Sequence, residues 1–278
     1  MERNLAENNL SPLVLDTHTT DLPFVPPPRS LATTAKQYAI LCRVLLAEYR
    51  RTWFTHIFFG MLLPLGLIFF FKMTGGEIDA QRAVFLLGGN MAISITYGPT
   101  TMLIAKIGWG RHNREFDYWA TLPLPKLILL LAIISVYLLF AIPGLVSSYL
   151  VGSWVFGLPL PNGLMLIALA PLCALSLTGF GALLGTYAKD GPTASVYGNI
   201  LLGFVTFLAP TMIPLETLPF PLRVLAMCVP TTYVADAFRA VLGGRVEIGW
   251  VYDLLFITIF SVAFLTLVHW KLDWRHER

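Results

Sequence analysis

The chain has 278 residues, of which 56% are hydrophobic and only 13% are charged, and its formal net charge is +3 at pH 7. A soluble domain normally carries about a quarter charged residues. This composition excludes an ordinary soluble domain and predicts a chain that is mostly surrounded by lipid, while the small net charge argues against nucleic-acid binding. Cys42, Cys173 and Cys228 lie far apart in the sequence, so we expect free thiols and no disulfide framework.

The chain begins with a polar, proline-containing stretch, residues 1–30. It has no apolar core of the kind that a signal peptide needs, and it is too polar to bury much surface. We therefore expect a flexible cytosolic tail. A second, short cytosolic tail is expected at residues 271–278.

Residues 31–53 predict an amphipathic helix that lies in the cytosolic membrane interface. The polar side chains that share one arc at 100° per residue are Lys36, Gln37, Arg43, Glu48, Arg50 and Arg51. The side chains on the opposite arc are Tyr38, Leu41, Cys42, Leu45 and Tyr49. The basic residues would face anionic headgroups. The alternative is that this segment simply extends the first membrane span.

Six segments are apolar and long enough to cross about 30 Å of hydrocarbon, which predicts a six-span transmembrane domain over residues 54–270. They are approximately 54–72, 83–106, 127–150, 164–187, 193–214 and 250–270. If both termini lie on one side, only five of the nineteen basic residues fall on the other side: Lys72, Arg82, Arg223, Arg239 and Arg245. The positive-inside rule then predicts that both termini lie in the cytosol. We expect the protein to lie in the plasma (inner) membrane.

Between the fifth and sixth spans, residues 215–245 are interrupted by Pro219, Pro221 and Pro230. The pieces are too short to cross a bilayer. We expect two short helices that form a re-entrant hairpin in the outer leaflet. The second would be capped by Thr231 or Thr232 and would end at Gly243 and Gly244.

No Asp, Glu, Lys or Arg lies in the middle of the six spans, and no catalytic or phosphate-binding motif is visible. We therefore expect no catalytic residues, no metal site and no cofactor on this chain.

Two spans carry polar stripes at i, i+4, i+7 and i+11 spacing. Their candidate path-lining residues are Asn90, Ser94, Tyr97, Thr101, Asn199 and Thr206. These faces either line a translocation path or pack against neighbouring helices, as we expect for Gly181 and Gly185.

The densest cluster of charged and aromatic residues, RHNREFDYWATLPLPK at 111–126, lies in the predicted cytosolic loop 107–126. Its part REFDYWATLPLPK, at 114–126, resembles the first cytosolic loop of the membrane subunits of ABC-2 (type V) ABC exporters. The stretch PTTYVADAFRAVLGG, at 230–244, is similar to that family's Pro-x-Thr-Tyr-x-x-Asp-Ala-x-Arg segment. The matching outer-hairpin residues are Thr232, Tyr233, Asp236 and Arg239. An interfacial helix, six spans and a hairpin before the last span occur in the same order in that family.

The resemblance implies a permease that pairs with a second membrane subunit, identical or not, and with separate ATPase subunits that bind ATP and Mg. The loop would form a coupling helix that sits in a groove of the ATPase. An apolar knob ringed by charges suits such a groove. The candidate coupling residues are Arg111, Arg114, Glu115, Phe116, Asp117, Tyr118 and Trp119.

The function expected from the sequence is export of a hydrophobic or amphipathic cargo, such as a drug, a lipid or a lipid-linked glycan. Two alternatives remain open at this point. The first is a secondary transporter or channel that works without an ATPase, and the second is a membrane enzyme that acts on lipids. A loop that only solvates itself and marks topology would account for the charges of 111–126 but less well for its aromatics.

Overall fold

The computed structural model describes residues 31–76, 78–122, 124–160, 163–207, 212–244 and 248–271. Among these residues the fold is entirely helical. The helices are α1 (Leu31–Glu48), α2 (Trp53–Thr74), α3 (Ala80–His112), α4 (Glu115–Thr121), α5 (Lys126–Phe156), α6 (Gly163–Tyr187), α7 (Gly191–Phe207), α8 (Phe220–Met227), α9 (Pro230–Leu242) and α10 (Ile248–Lys271), with a 3-10 turn at Leu215–Thr217. The predicted tails, 1–30 and the residues after Lys271, lie outside the described residues.

Four helices of the described residues, α2, α5, α6 and α10, are long and apolar enough to cross a membrane. A fifth span is added if α8 and α9, which meet at a bend of 78°, count as one. Length and composition of the described helices thus support four or five spans, fewer than the six that the sequence predicts. The other two predicted spans correspond to α3, whose apolar character is diluted by polar residues, and to α7. The predicted fifth span continues from α7 into residues 208–211, which lie outside the described part of the chain.

Helix α3 is the centre of the bundle and contacts α2, α4, α5, α6, α7 and α9. From Leu86 to Thr96 every residue of α3 is buried, whereas α2 buries only Pro64 and Ile68. A helix surrounded by other helices can carry polar side chains, because they find partners there rather than lipid. This explains why α3 can be less apolar than α2, α5, α6 and α10.

The predicted packing role of Gly181 and Gly185 is confirmed. A Cβ on Gly181 would lie 2.5 Å from Thr100 Cγ2 and 3.1 Å from the Thr100 carbonyl oxygen. A Cβ on Gly185 would lie 3.0 Å from Ile107 Cβ. The two glycines therefore let the backbones of α3 and α6 approach closely, which is how helices gain packing energy in lipid.

Helix α1 packs its apolar side against α5. Leu41 and Leu45 are buried there, and the Tyr38 hydroxyl donates to Ser135 Oγ at 2.7 Å. The hydroxyls of Tyr49 and Tyr137 lie 3.0 Å apart. A helix is present at this position, and its buried residues Leu41 and Leu45 face a protein helix instead of hydrocarbon. The amphipathic character of α1 and its position in the membrane interface stay predictions.

The bend between α8 and α9 is held by side chains of the second helix. Thr232 Oγ1 donates to the Ala226 carbonyl, and the Tyr233 hydroxyl donates to the Met227 carbonyl at 2.9 Å. Both acceptors lie at the end of α8, where helix carbonyls lack partners within the helix. The expectation that Thr231 or Thr232 caps α9 is wrong, because α9 already begins at Pro230. Its expected end at Gly243 is confirmed.

Replacing Gly181 with alanine should destabilise the bundle by about 1–3 kcal/mol, because the new Cβ overlaps Thr100 and forces α3 and α6 apart. Thermal unfolding of the purified chain in detergent measures this. Gly203→Ala is the matched control, since no heavy atom lies within 4 Å of a Cβ at that position. Equal melting temperatures for both variants would contradict the assigned α3–α6 contact.

Candidate functional site

The predicted coupling segment forms a helix of its own, α4, at the end of α3. The chain leaves α3 at His112 and turns at Arg114, whose φ of 57° is the only positive φ of a non-glycine residue within the described ranges. This left-handed residue lets α4 start in a new direction. Glu115 and Asp117 lie in the first turn of α4, where negative charge is favourable to the helix dipole.

Lys106 connects three helices through two carboxylates. Its Nζ lies 2.9 and 3.0 Å from the carboxylate oxygens of Glu48 on α1 and 2.9 Å from Glu115 Oε2 on α4. The Lys106 side chain is only 13% exposed, so these contacts replace most of its hydration. We call Lys106, Glu48 and Glu115 the Lys106 cluster. It fixes α1 and α4 to the end of the central helix.

Phe116 lies on the inner side of α4 and is 8% exposed. It packs with Leu103, Ile107 and Leu130, and a Cβ on Gly110 would lie 2.9 Å from its ring. The expectation that Phe116 forms part of a knob for a partner is therefore corrected: its ring is already buried in its own chain. Glu115 is likewise engaged internally, through Lys106.

The outer side of α4 carries the residues that remain for a partner. Tyr118 is 63% exposed, and its ring meets the ring of Trp119 edge-on at 5.6 Å. Trp119 is half-buried and packs partly against the cluster that includes Phe116. Asp117 is also half-buried. The exposed apolar surface of α4 is therefore centred on Tyr118.

Arg111 and Arg114 lie on a third side of this corner, away from the Lys106 cluster. Arg111 Nη1 donates to the carbonyl of Thr186, near the end of α6. Both arginines line a cavity of about 460 Å³ together with Lys189 from the turn between α6 and α7. Their predicted role at the rim of an ATPase groove is not tested by these contacts.

The polar stripe of α3 divides into a packing part and a groove part. Asn90 is buried, and its Nδ2 donates to the Pro64 carbonyl at 3.1 Å. Ser94 Oγ lies 2.9 Å from Ser148 Oγ of α5. Ser94, Tyr97 and Thr101 also line a groove of about 640 Å³ between α2, α3 and α5. Asn90 thus packs between helices, Ser94 both packs and borders the groove, and Tyr97 and Thr101 border the groove. A translocation path along this groove stays a prediction.

The polar stripe of α7 lies elsewhere. Asn199 is exposed and Thr206 is half-buried, and neither lines the groove between α2, α3 and α5. Because α7 packs on another side of α3, the two predicted stripes do not meet around one cavity within this chain. A shared path would need surfaces of more than one copy.

Asp236 and Arg239 fasten α9 to α3. Arg239 Nη1 lies 2.8 Å from Asp236 Oδ1, and Arg239 Nε donates to the Phe85 carbonyl at 3.1 Å. The guanidinium carbon lies 3.6 Å from the centre of the Phe85 ring, a cation–π contact. With Thr232 and Tyr233 at the bend, all four predicted outer-hairpin residues thus make contacts within the chain.

The sequence pattern did not point to the contacts that the structure shows for Lys106, Glu48, Ser148 and Lys189. A signal existed for Lys106, because it is the single charged residue between residues 83 and 110. A lone charge at the end of an apolar helix needs a counter-ion. Nothing in the sequence identifies which of the nearby carboxylates supplies it.

The sequence matches a known family over most of its length. The model of the ABC-2 type transporter family covers residues 36–242, well over half of the chain. This chain belongs to that family. It is therefore a multi-pass membrane protein and a permease of an ABC transporter, and the family's membrane domain is a transport domain rather than a catalytic one. No curated protein matches the chain significantly in sequence.

The part of the permease that the structure describes contains no group of three or more His, Cys, Asp or Glu side chains that could hold a metal ion. Asp190, near the corner between α3 and α4, accepts hydrogen bonds from Thr193, which lower the pKa of its carboxyl. Asp190 therefore stays ionised at neutral pH.

Replacing Lys106 with methionine should loosen α1 and α4 together, because Glu48 and Glu115 lose their shared cation and repel each other. We expect local opening of both helices to become easier by about 1–3 kcal/mol. Hydrogen–deuterium exchange of the purified permease measures this. Lys36→Met, at an exposed position of α1, is the control. Unchanged exchange in α4 would show that the Lys106 cluster does not hold it.

Proposed function

We propose that this permease subunit belongs to an ATP-driven exporter, that it is powered by a separate ATPase subunit, and that it moves a hydrophobic or amphipathic cargo out of the cytosol or inner leaflet. The observation that carries the proposal is α4: a short helix tied to α1 and α3 by the Lys106 cluster, with Tyr118 exposed on its outer side. A helix that is fixed to the bundle on one side and exposes an aromatic side chain on the other is suited to transmit the movement of a bound partner.

The same helix connects the coupling corner to the groove. Lys106 lies five residues after Thr101 on α3, which is a rise of about 7.5 Å. Pro99, between Tyr97 and Thr101, removes a backbone hydrogen bond and gives α3 a weak point beside the groove. We infer that ATP binding by the partner pushes α4, and that the Lys106 cluster passes this displacement to the wall of the groove.

The lining of the groove supports an amphipathic cargo. Most of it is apolar, with Phe59, Leu62 and Phe140, whereas Ser94, Tyr97 and Thr101 supply hydroxyls. No Asp, Glu, Lys or Arg lines the groove. A strongly charged solute would therefore lose its hydration without gaining a counter-ion there. A drug, a lipid or a lipid-linked glycan fits this chemistry better.

The proposed complex contains two membrane subunits, identical or not, and two ATPases that bind ATP and Mg. It would lie in the plasma (inner) membrane with both termini in the cytosol, as the basic residues predict. Helix α1 would lie in the cytosolic interface and α8–α9 would form the re-entrant outer gate. The outer side of α2, which exposes Phe58, Phe59 and Phe69, has the apolar surface that a second subunit or lipid would cover.

The proposal is tested by isolating the detergent-solubilised permease from its native cells and identifying the proteins that co-purify. An ABC ATPase in near-stoichiometric amount supports it. If the chain comes out alone even after gentle cross-linking, transport without an ATPase replaces this proposal.

Replacing Tyr118 with alanine should weaken binding of the ATPase at least about tenfold, because an exposed aromatic at the centre of an interface contributes more than 1.4 kcal/mol. Binding of the purified ATPase to the permease in nanodiscs measures this. The control is Tyr252→Ala, which removes the same side chain at 58% exposure from the start of α10. Equal affinity for both variants would place the contact elsewhere on the permease.

Replacing Gly98 with phenylalanine should block transport while the complex still assembles, because the new ring would fill the groove. Export into vesicles of a hydrophobic dye, a labelled phospholipid and a lipid-linked glycan is compared with wild type. Gly66→Phe on α2 is the matched control: no heavy atom lies within 4 Å of a Cβ at either glycine, but Gly66 does not line the groove. Full export by the Gly98 variant would exclude this groove as the path.

A further inference from the structure

A basic cavity lies where the end of α3 meets the turn between α6 and α7. We call it the basic pocket, and its volume is about 460 Å³. Its lining residues are Arg111, His112, Arg114, Tyr187, Ala188 and Lys189. Three permanent cations and a histidine thus surround a space that is large enough for a phosphate group.

The charges of the basic pocket are only partly compensated within the described part of the chain, by the carboxylate of Asp190 near His112 and Lys189. No ion pair there joins Arg111, Arg114 or Lys189 to a carboxylate. The nearby acid is Asp190, which accepts a hydrogen bond from the Thr193 backbone N–H at 2.8 Å. One carboxylate that already caps a helix leaves an excess of positive charge. Such an excess attracts an anion.

The cations of the basic pocket come from three different segments of the chain. Arg111, in the last turn of α3, is anchored by its hydrogen bond to the Thr186 carbonyl, and a guanidinium has further N–H donors to offer. Arg114 is exposed at the left-handed turn from α3 into α4. Lys189 is exposed in the turn between α6 and α7. The pocket therefore depends on the meeting of these segments, with Arg111 as its anchored member.

Interfacial aromatic side chains flank the basic pocket. Trp109 and Tyr187 are both exposed, at the ends of α3 and α6. Trp and Tyr are enriched at the boundary between hydrocarbon and water. Lys271, at the end of α10, lies with its Nζ 5.9 Å from the centre of the Tyr187 ring and adds another cation at the same level. Side chains of these types are common at the depth of lipid headgroups.

We propose that the basic pocket binds the phosphate of an anionic phospholipid from the cytosolic leaflet. Basic pockets between the ends of membrane helices on the cytosolic side have the charge and depth that such headgroups require. The bound phosphate bridges Arg114, at the start of α4, to Lys189 beyond α6. Anionic lipid thereby orders the corner that carries α4, independently of any ATPase.

The test uses the full chain in detergent and counts bound lipid by native mass spectrometry. Dioleoyl phosphatidylglycerol is compared with dioleoyl phosphatidylcholine. We expect the wild-type chain to retain phosphatidylglycerol preferentially, and the double variant Arg114→Gln/Lys189→Gln to lose about tenfold in its affinity. Arg114→Lys/Lys189→Arg keeps both charges and should restore binding, which separates charge from folding.

The matched control is Lys72→Gln/Arg82→Gln. It removes two exposed basic residues near the end of α2 and the start of α3, outside the pocket. Equal loss of phosphatidylglycerol in the control and in the pocket variant would overturn the proposal, because the attraction would then be general. No loss in the pocket variant would also overturn it.

Two further arms distinguish other anions. If inorganic phosphate binds the wild-type chain as well as phosphatidylglycerol does, the pocket serves a soluble phosphate and the lipid assignment is wrong. If the pocket variant keeps its lipid but loses the ATPase, Arg114 and Lys189 belong to the protein interface instead. Failure of an ATPase to co-purify would leave the lipid result unchanged, so the two proposals fail separately.

Discussion

The end of the bundle where α1, α3 and α4 meet depends on one requirement: a lysine at the end of a largely apolar helix needs negative partners. Lys106 is almost buried, and two carboxylates from different segments of the chain satisfy it. Because Glu48 and Glu115 lie far apart in sequence, their shared cation fixes the position of α1 and α4 relative to α3. Helix α4 would not keep its orientation through its own propensity, since it has only seven residues.

The packing inside the bundle reflects the fact that the hydrophobic effect does not drive helices together in lipid. Helices there associate through close packing and polar contacts. Gly181 and Gly185 allow α6 to approach α3, and Ser94 with Ser148 joins α3 to α5. The polar groups that make α3 look unlike a membrane span are the same groups that make it the centre of the bundle.

The sequence predicts the long helices well, because apolar runs of fixed length have few other structures available in lipid. It predicts less well which side of a short helix faces the protein. Phe116 and Tyr118 are equally aromatic, yet one is buried and the other exposed, because the left-handed turn at Arg114 and the pairing of Glu115 with Lys106 set the rotation of α4. The same limit applies to Thr232, whose hydroxyl bonds the preceding helix rather than capping its own.

The three sides of the α3–α4 corner thus have different chemistry. The inner side, with Glu115 and Phe116, is fixed to the bundle, and the outer side presents Tyr118. The third side, with Arg111 and Arg114, borders a cationic cavity. In the proposed mechanism α4 moves together with α3, because its buried side packs against that helix, and α3 also forms a wall of the groove. A ligand on the outer or the cationic side of this corner would then act on the groove through α3.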